Sequence, residues 1–372
     1  MDTHTVLSPD DESHLERARR LARRGWGQVH PNPMVGCVLV REGRVVGEGF
    51  HELFGGPHAE IVALEEARGE AEGATAYVSL EPCNHQGKTP PCARALVSAG
   101  VTRVVYGAAD PGEVSGGGAD TLRAAGVQVV GPVWSPAVGR AENPAFHHGA
   151  RHEVPFVALK LAMSLDARIA ASAGQATRIT GPEAEREVHR LRSGFDAVMV
   201  GAGTVAVDDP RLTVRLAPGG REPTRRILLL PEAELPADAA VLRDVQAAPL
   251  HVFCHEGASE GAMEQLEAAG AHVHPVPGST VALDLDTVLD VTRNLGIRSI
   301  LCEGGRALAA SLLGQRRVQR LYLFFAPVTF GDDGVPAFPS DAGALVWSDF
   351  QPVAEPETFG RDILMVYDRQ EG

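Results

Sequence analysis

Three side chains able to hold one metal ion, His58, Cys83 and Cys92, stand where helices are expected to start or strands to end, so any fold of this chain has to bring those junctions together. His58 follows Gly55-Gly56-Pro57 and opens a helix expected over 58–68, with Glu60 two residues on. Cys83 follows a strand expected over 74–80, and Cys92 follows Pro90-Pro91 in a helix expected over 91–99. A hydrolytic zinc takes three protein ligands and keeps one position open, which one imidazole and two thiolates satisfy. Two thiolates balance the metal charge, so bound water ionises near neutral pH. A cysteine at a helix start is also biased toward thiolate by the free N–H groups there. Glu60, expected to point to a different side from His58, is a non-ligand acid suited to general acid and base work. Zinc-dependent base deaminases carry H-x-E with P-C-x-x-C. Here the second cysteine lies nine positions after the first, so that spacing is broken. Taken singly, these residues read as a capping histidine, a solvated acid and two small hydrophobes. Their joint placement at junctions is what points to a metal.

The pattern around them is α/β. Ser8-Pro9-Asp10-Asp11 reads as a helix N-cap followed by Leu15, Ala18, Leu21 and Ala22 at helical spacing, stopped by Gly25. Runs 34–40 and 45–50, joined by Arg41-Glu42-Gly43-Arg44, predict a hairpin. A strand over 101–107, a helix near Thr121 and a strand over 127–130 complete one sheet with helices on its faces. Residues 131–151 read as irregular, and the alternation restarts at Val157-Ala158-Leu159-Lys160-Leu161, which places a domain boundary there. The second half predicts strands near Val157, at 197–200, 227–230, 251–254 and 299–302, and near Leu321 and Leu364. Helices are predicted at 182–191, around Met263 and Val288, and from Arg306. Residues 231–248, rich in Ala, Pro and acids, read as a surface loop.

A chain of 372 residues suggests two domains at roughly 150 residues each. A formal net charge of −14 argues against a partner held through phosphate backbones and favours small substrates. The start has no basic segment leading into an apolar one, and no apolar run is long enough to span a membrane, so a cytoplasmic location is expected. The odd count of five cysteines is unlike a disulfide framework, and Cys37, Cys254 and Cys302, inside apolar runs, are expected to be buried.

His30-Pro31-Asn32-Pro33-Met34-Val35-Gly36-Cys37, Gly56-Pro57-His58-Ala59-Glu60 and the stretch from Glu81 to Cys92 with its Gly87-Lys88-Thr89-Pro90-Pro91 insert resemble the bifunctional deaminase/reductases of riboflavin biosynthesis. So do Ser164-Leu165-Asp166, Gly203-Thr204-Val205, the run from Asp208 to Arg215, and Glu303-Gly304-Gly305. The resemblance covers nearly the whole chain. It implies a cytidine-deaminase-like three-layer domain over 1–150 and a dihydrofolate-reductase-like domain over 151–372. It implies zinc-dependent deamination of a phosphorylated ribosylaminopyrimidine, then NADPH reduction of its ribose to a ribityl chain. By position, Asn32, His51 and Lys88 would contact the first substrate. Arg192, Leu212, Arg215 and Glu303 would contact the second, with both arginines on its phosphate. Ala162, Thr204, Asp208, Gly304 and Gly305 would meet NADPH. Subunit pairing to a homo-oligomer is a further implication.

The chain departs from the family pattern at several positions. Asp110-Pro111-Gly112-Glu113 lacks a polar side chain usual near the deaminase pocket. Ala167 stands for a glycine, Ala176 for a serine, Arg178 for a tryptophan, and Leu230 for an aspartate after a strand. Most of these fall in the second half, where Arg178 could still lie against the cofactor through its planar cation. Three alternatives stay open beside the bifunctional enzyme: a deaminase with an impaired reductase half, a nucleic-acid deaminase with an appended domain, and a non-catalytic zinc protein.

Overall fold

Ser8 starts the first helix through a capping box, its hydroxyl accepting the Asp11 N–H while the Asp11 carboxylate accepts the Ser8 N–H, each at 3.1 Å. The computed structural model describes residues 7–85, 91–215, 225–338 and 349–370. It divides into two units, Met1–His152 and Glu153–Gly372.

In the first unit helix α1 (Pro9–Ala22) is followed by β1 (Gly36–Arg41), β2 (Arg44–Phe50), α2 (Ala59–Glu66), β3 (Thr75–Leu80), α3 (Cys92–Ser98), β4 (Arg103–Ala108), α4 (Gly118–Ala124) and β5 (Gln128–Val130). The sheet order is β2-β1-β3-β4-β5, with β1 antiparallel to both neighbours and β3, β4 and β5 parallel. Leu15 and Ala18 of α1 cover one face over Val38, Tyr77 and Val105. Ala59, Ala63, Leu96 and Leu122 of α2, α3 and α4 cover the other, over Leu39, Val78 and Val104. The result is three layers, as expected. Helix α2 sits so close to β2 that a Cβ at Gly49 would lie 2.3 Å from the Ala59 carbonyl oxygen, and this contact fixes the helix that begins beside His58. Residues 131–151 are more ordered than the sequence suggested: α5 (Pro136–Glu142) and α6 (Pro144–Gly149) both begin with proline, and Ser135 caps the first. Each is too short to show a helical hydrophobic period.

The second unit contains β6 (Phe156–Ser164), β7 (Arg168–Ala170), α7 (Pro182–Ser193), β8 (Ala197–Gly201), α8 (Ala202–Asp208), β9 (Arg225–Leu229), β10 (Leu250–His255), α9 (Glu260–Ala268) and β11 (His272–Val276). It continues with α10 (Leu285–Asn294), β12 (Ser299–Cys302), α11 (Arg306–Gly314), β13 (Arg320–Ala326), β14 (Val335–Pro336), β15 (Phe350–Pro352), β16 (Glu357–Phe359) and β17 (Asp362–Arg369). The main sheet runs β11-β10-β9-β8-β12-β6-β13-β17-β15, parallel through β13 and antiparallel at β17 and β15. Strand β11, with the sequence His-Val-His-Pro-Val, escapes a sequence reading because it has no apolar run. Both faces carry a core, one around Leu159, Met199 and Val288, the other around Val200, Leu228 and Val252.

Residues 231–248 correct their sequence reading. Ala233, Ala239, Val241 and Ala248 are buried against the second core rather than looping over the surface. Arg226, with no exposed surface, explains it: its guanidinium donates to the carbonyls of Ala248, Val241, Arg243 and Arg211, stitching the segment to β9. Cys37, Cys254 and Cys302 are fully buried, as expected.

Candidate active sites

His58 is the N-cap of α2, in extended backbone (φ −75°, ψ 160°), so its side chain does not follow the helical period. His58 and Glu60 therefore line one and the same cavity, where the sequence suggested different sides. The His58 Nδ1 atom lies 3.2 Å from Cys92 Sγ and 3.5 Å from Cys83 Sγ, and the three donor atoms all fall within 4.8 Å of one another. Cys83 comes from the turn after β3, and Cys92 from the first turn of α3, where its N–H donates to Cys83 Sγ at 3.5 Å. This donor set fits zinc, since the three atoms converge on one point and the cavity leaves one side open.

The electrostatics follow from the thiols. A hydrogen bond from Cys92 pulls the Cys83 thiol well below the ordinary thiol range, and the same contact, with burial, raises Cys92. The hydrogen bond to Cys83 raises His58. Burial, reinforced by the Cys83 charge, pushes the Glu60 carboxyl up to about 7.

The cavity holds about 240 Å³. Asn32 and His51 face it, linked by a hydrogen bond of 3.1 Å from the Asn32 amide to His51 Nε2. His51 Nδ1 in turn donates to the Pro57 carbonyl at 2.9 Å, and burial lowers the pKa of the ring. This chain of bonds turns the Asn32 carbonyl oxygen away from His51, leaving it able to accept. Lys88 lies outside the described residues. Sequence reasoning missed Asp110, Ser115 and Phe146, which also line this cavity. Only the Asp-Pro pair at 110–111 gave a signal.

In the second unit a cavity of about 550 Å³ opens at the carboxyl ends of β8 and β12. Thr204, Asp208 and Gly305 line it, together with Gly203 and Arg306 at the starts of α8 and α11. A Cβ at Gly305 would lie 3.2 Å from Thr204 Oγ1, so this glycine keeps the approach open, whereas Gly304, where a Cβ would lie 2.7 Å from Leu308, is not among the lining residues. Helix N-termini at a cavity of this volume suit a dinucleotide's phosphates. Ala162, half-buried on β6 in register with Phe324, is not among the lining residues.

Arg192 and Glu303 form a bidentate pair at 2.5 and 3.0 Å, and the remaining Arg192 nitrogen donates to the Thr213 carbonyl at 3.1 Å. Burial pushes the Glu303 carboxyl up, but the Arg192 charge and hydrogen bond, with Lys160, bring it below the ordinary range. Arg215 donates from its side chain to Thr213 Oγ1 and from its backbone to His189 Nδ1. Burial, helped by the charges of Arg192 and Arg215, pushes His189 down to about 4. Leu212 is 2% exposed and packs in the core, with a left-handed φ of 58°, so only its backbone can face a ligand.

Lys160, one of the motif residues of the second half, was given no role from the sequence. Burial pushes its ammonium below the ordinary lysine value, against the pull of the Glu303 and Asp208 charges.

The departures from the family pattern resolve individually. Ala167 adopts the left-handed φ of 54° that a glycine takes without strain. Leu230 packs into the core at 3% exposure, away from the cavity. Arg178 is an exposed residue bound to Glu185 at 2.6 Å and is absent from the cavity lining, so it does not take a tryptophan's place there.

Two family models match the chain: the RibD C-terminal domain over residues 155–362, and the cytidine and deoxycytidylate deaminase zinc-binding region over residues 8–108. The chain is similar to the riboflavin biosynthesis protein RibD of Aquifex aeolicus, at 39% identity over 324 residues covering 87% of this chain and 88% of that protein. Among solved structures, Acinetobacter baumannii RibD matches with a TM-score of 0.81 at 31% identity, covering 97% of this chain and 99% of that one. A Thermotoga maritima structure, described as a diaminohydroxyphosphoribosylaminopyrimidine deaminase/5-amino-6-(5-phosphoribosylamino)uracil reductase, matches with a TM-score of 0.80 at 32% identity and the same coverage.

Proposed function

The chain belongs to the RibD family of bifunctional riboflavin-biosynthesis enzymes, and from that premise we propose that residues 1–150 deaminate a diaminopyrimidine ribotide and residues 151–372 reduce the product's ribose with NADPH. The observation that carries the reading is the convergence of His58, Cys83 and Cys92 beside a buried acid in a cavity of pyrimidine size.

Zinc, when bound by these three residues, supplies a Lewis acid that makes water nucleophilic near neutral pH. Glu60 would be the proton carrier: as carboxylate it takes one proton from the attacking water to the ring nitrogen as the C–O bond forms, then carries a second proton, from the hydroxyl now on carbon, to the amine that leaves as ammonia, a task its burial-raised pKa suits. The Asn32 carbonyl oxygen, held in place through His51 and Pro57, accepts from a ring N–H. Lys88 is assigned to the substrate by its place in the motif.

NADPH, when bound along the cavity lined by Thr204, Asp208 and Gly305, supplies hydride. Ala162 and Gly304 are assigned to the same cofactor. Glu303, aimed by Arg192, accepts from sugar hydroxyls. Arg192 has three of its five N–H groups engaged and is held against Glu303, whereas Arg215 makes one side-chain bond, to Thr213, and so keeps more donors for the substrate phosphate. Leu212 contributes through its backbone. Lys160, a buried ammonium of lowered pKa near Glu303 and Asp208, is suited to give a proton to a sugar oxygen as hydride arrives.

The partner is a small phosphorylated pyrimidine; the acidic net charge of −14 speaks against nucleic acid. No helix among the described residues is long and apolar enough to cross a membrane. A cytoplasmic location is proposed from the five free thiols. A homo-oligomer is proposed from Leu165 and Val328, exposed apolar neighbours joined by a backbone hydrogen bond of 2.9 Å. Light scattering that gives the mass of one chain would contradict the oligomer.

The test of the whole reading supplies the purified chain with the diaminopyrimidine ribotide and NADPH. Ammonia release followed by NADPH oxidation supports both activities. Ammonia without NADPH oxidation rejects the reductase, and neither signal rejects both.

A further inference from the structure

In the loop after β4 the Ser115 side chain lies against the bare backbone of Gly112. Gly112 carries no side chain, and a Cβ built there would lie 2.2 Å from Ser115 Oγ. The Ser115 hydroxyl thus occupies the volume that a side chain at 112 would enter. It donates to Asp110 Oδ1 at 2.9 Å, and the Gly112 N–H donates to the same oxygen at 2.8 Å. The loop is fixed on both sides: Gly116 N–H bonds the Gly112 carbonyl at 2.9 Å, and Asn84, next to Cys83, donates its N–H to the Ser115 carbonyl at 2.9 Å. Asp110 and Ser115 both line the cavity that holds His58 and Glu60.

Hydrogen-bond inventory then says what this wall can take. Ser115 spends its one proton on Asp110, so its oxygen offers only lone pairs to the cavity. Asp110 Oδ2 has no protein donor among the described residues. Two acceptors side by side recognise a group that donates, such as an exocyclic amine or a ribose hydroxyl.

We propose that Ser115, seated in the space vacated at Gly112, forms with Asp110 an acceptor pair that binds an N–H or O–H donor of the deaminase substrate and sets its affinity. The proposal rests on the deaminase reading given above. It makes Ser115 a specificity residue that acts by contact, and it ties positions 112 and 115 together sterically. A methyl group at 112 drives the Ser115 hydroxyl off Asp110, so Gly112→Ala and Ser115→Ala remove the same interaction by different routes.

The test measures kcat and KM for ammonia release by the full zinc-loaded chain, the Gly112→Ala and Ser115→Ala variants, and the double variant. NADPH oxidation with the deaminated ribotide serves as a control for folding. Each single variant is expected to raise KM by about tenfold while kcat changes less than threefold, because a bond made equally in the ground state and the transition state contributes to binding alone. The double variant is expected to be no worse than either single one, since neighbours that share one interaction are not additive. An unchanged KM in Ser115→Ala overturns the proposal, as does a double variant whose effect equals the product of the two single effects. A wild-type chain that releases no ammonia overturns the deaminase reading instead.

Discussion

The two candidate sites are built over very different distances. In the first unit every group read as a metal ligand or proton carrier sits at the end of a strand or the start of a helix, and the donors fall within one stretch from His58 to Cys92. In the second unit the central pair, Arg192 and Glu303, joins α7 to the end of β12 across 111 positions of sequence. The first site sets a lowered thiol, a raised imidazole and a raised carboxyl around a small cavity, whereas the second is a set of paired, buried charges beside a large one. Local construction makes a site readable and separately removable. Long-range construction makes a site inseparable from the stability of its unit.

The largest effect expected from that contrast is in the first unit. Cys83→Ser is predicted to lower deamination by on the order of 10³-fold or more, with zinc content falling in metal analysis, while reduction of the deaminated ribotide stays within twofold. An equal fall in both activities would break the claim of separable sites.

Glu303→Ala should do what no first-site variant does. Stranding the Arg192 guanidinium, whose side chain is 12% exposed, is predicted to cost about 3–5 kcal/mol and to abolish NADPH oxidation. Urea unfolding of the second unit reads the stability loss, and an unchanged midpoint would mean that the pair is dispensable.

Each unit carries groups that respond to acid, and two of the second unit's histidines have the larger shifts. Burial and the neighbouring His274 push His251 down to about 4, and His189 falls likewise, so both are neutral in the fold. Unfolded histidine titrates near ~6.5 and binds the extra proton, so unfolding free energy of the second unit falls as pH drops from there toward 4. In the first unit the hydrogen bond from Arg103, with that from Tyr77, holds Asp11 well below the carboxylate range. That stabilisation is lost only as pH falls below the ordinary aspartate value of about 4. His251→Asn is expected to flatten the slope between pH 6.5 and 4 in pH-dependent urea unfolding, and an unaltered slope would remove His251 from the account.

The smallest effect is a gain. Ala167→Gly relieves a left-handed alanine and should stabilise the second unit by about 0.5–1 kcal/mol, or a rise of ~1–4 °C in Tm. Calorimetry that shows a loss would mean the glycine's added freedom in the unfolded chain outweighs the strain.

What the sequence made legible follows the same division. His58, Glu60, Cys83 and Cys92 could be read because prolines, glycines and caps mark the junctions that hold them. The three-layer first unit could be read because its strands and helices have clear periods. Lys160 stood in an apolar strand with nothing local to show that it meets Glu303 and Asp208. Ser115 was hidden in a glycine-rich loop, since only three-dimensional proximity reveals that its hydroxyl fills the space at Gly112. The buried segment 231–248 looked like surface because its tether, Arg226, works through carbonyls that carry no sequence signal.

The central claim is that one chain holds two chemistries in two sites that fail independently, and Glu60→Gln tests it most directly. The variant, zinc-loaded, is given the diaminopyrimidine ribotide in one assay, and the deaminated ribotide with NADPH in another. The account predicts ammonia release reduced by about 10²–10⁴-fold with NADPH oxidation at the wild-type rate. Ammonia release at the wild-type rate, or NADPH oxidation lost together with it, would contradict the account.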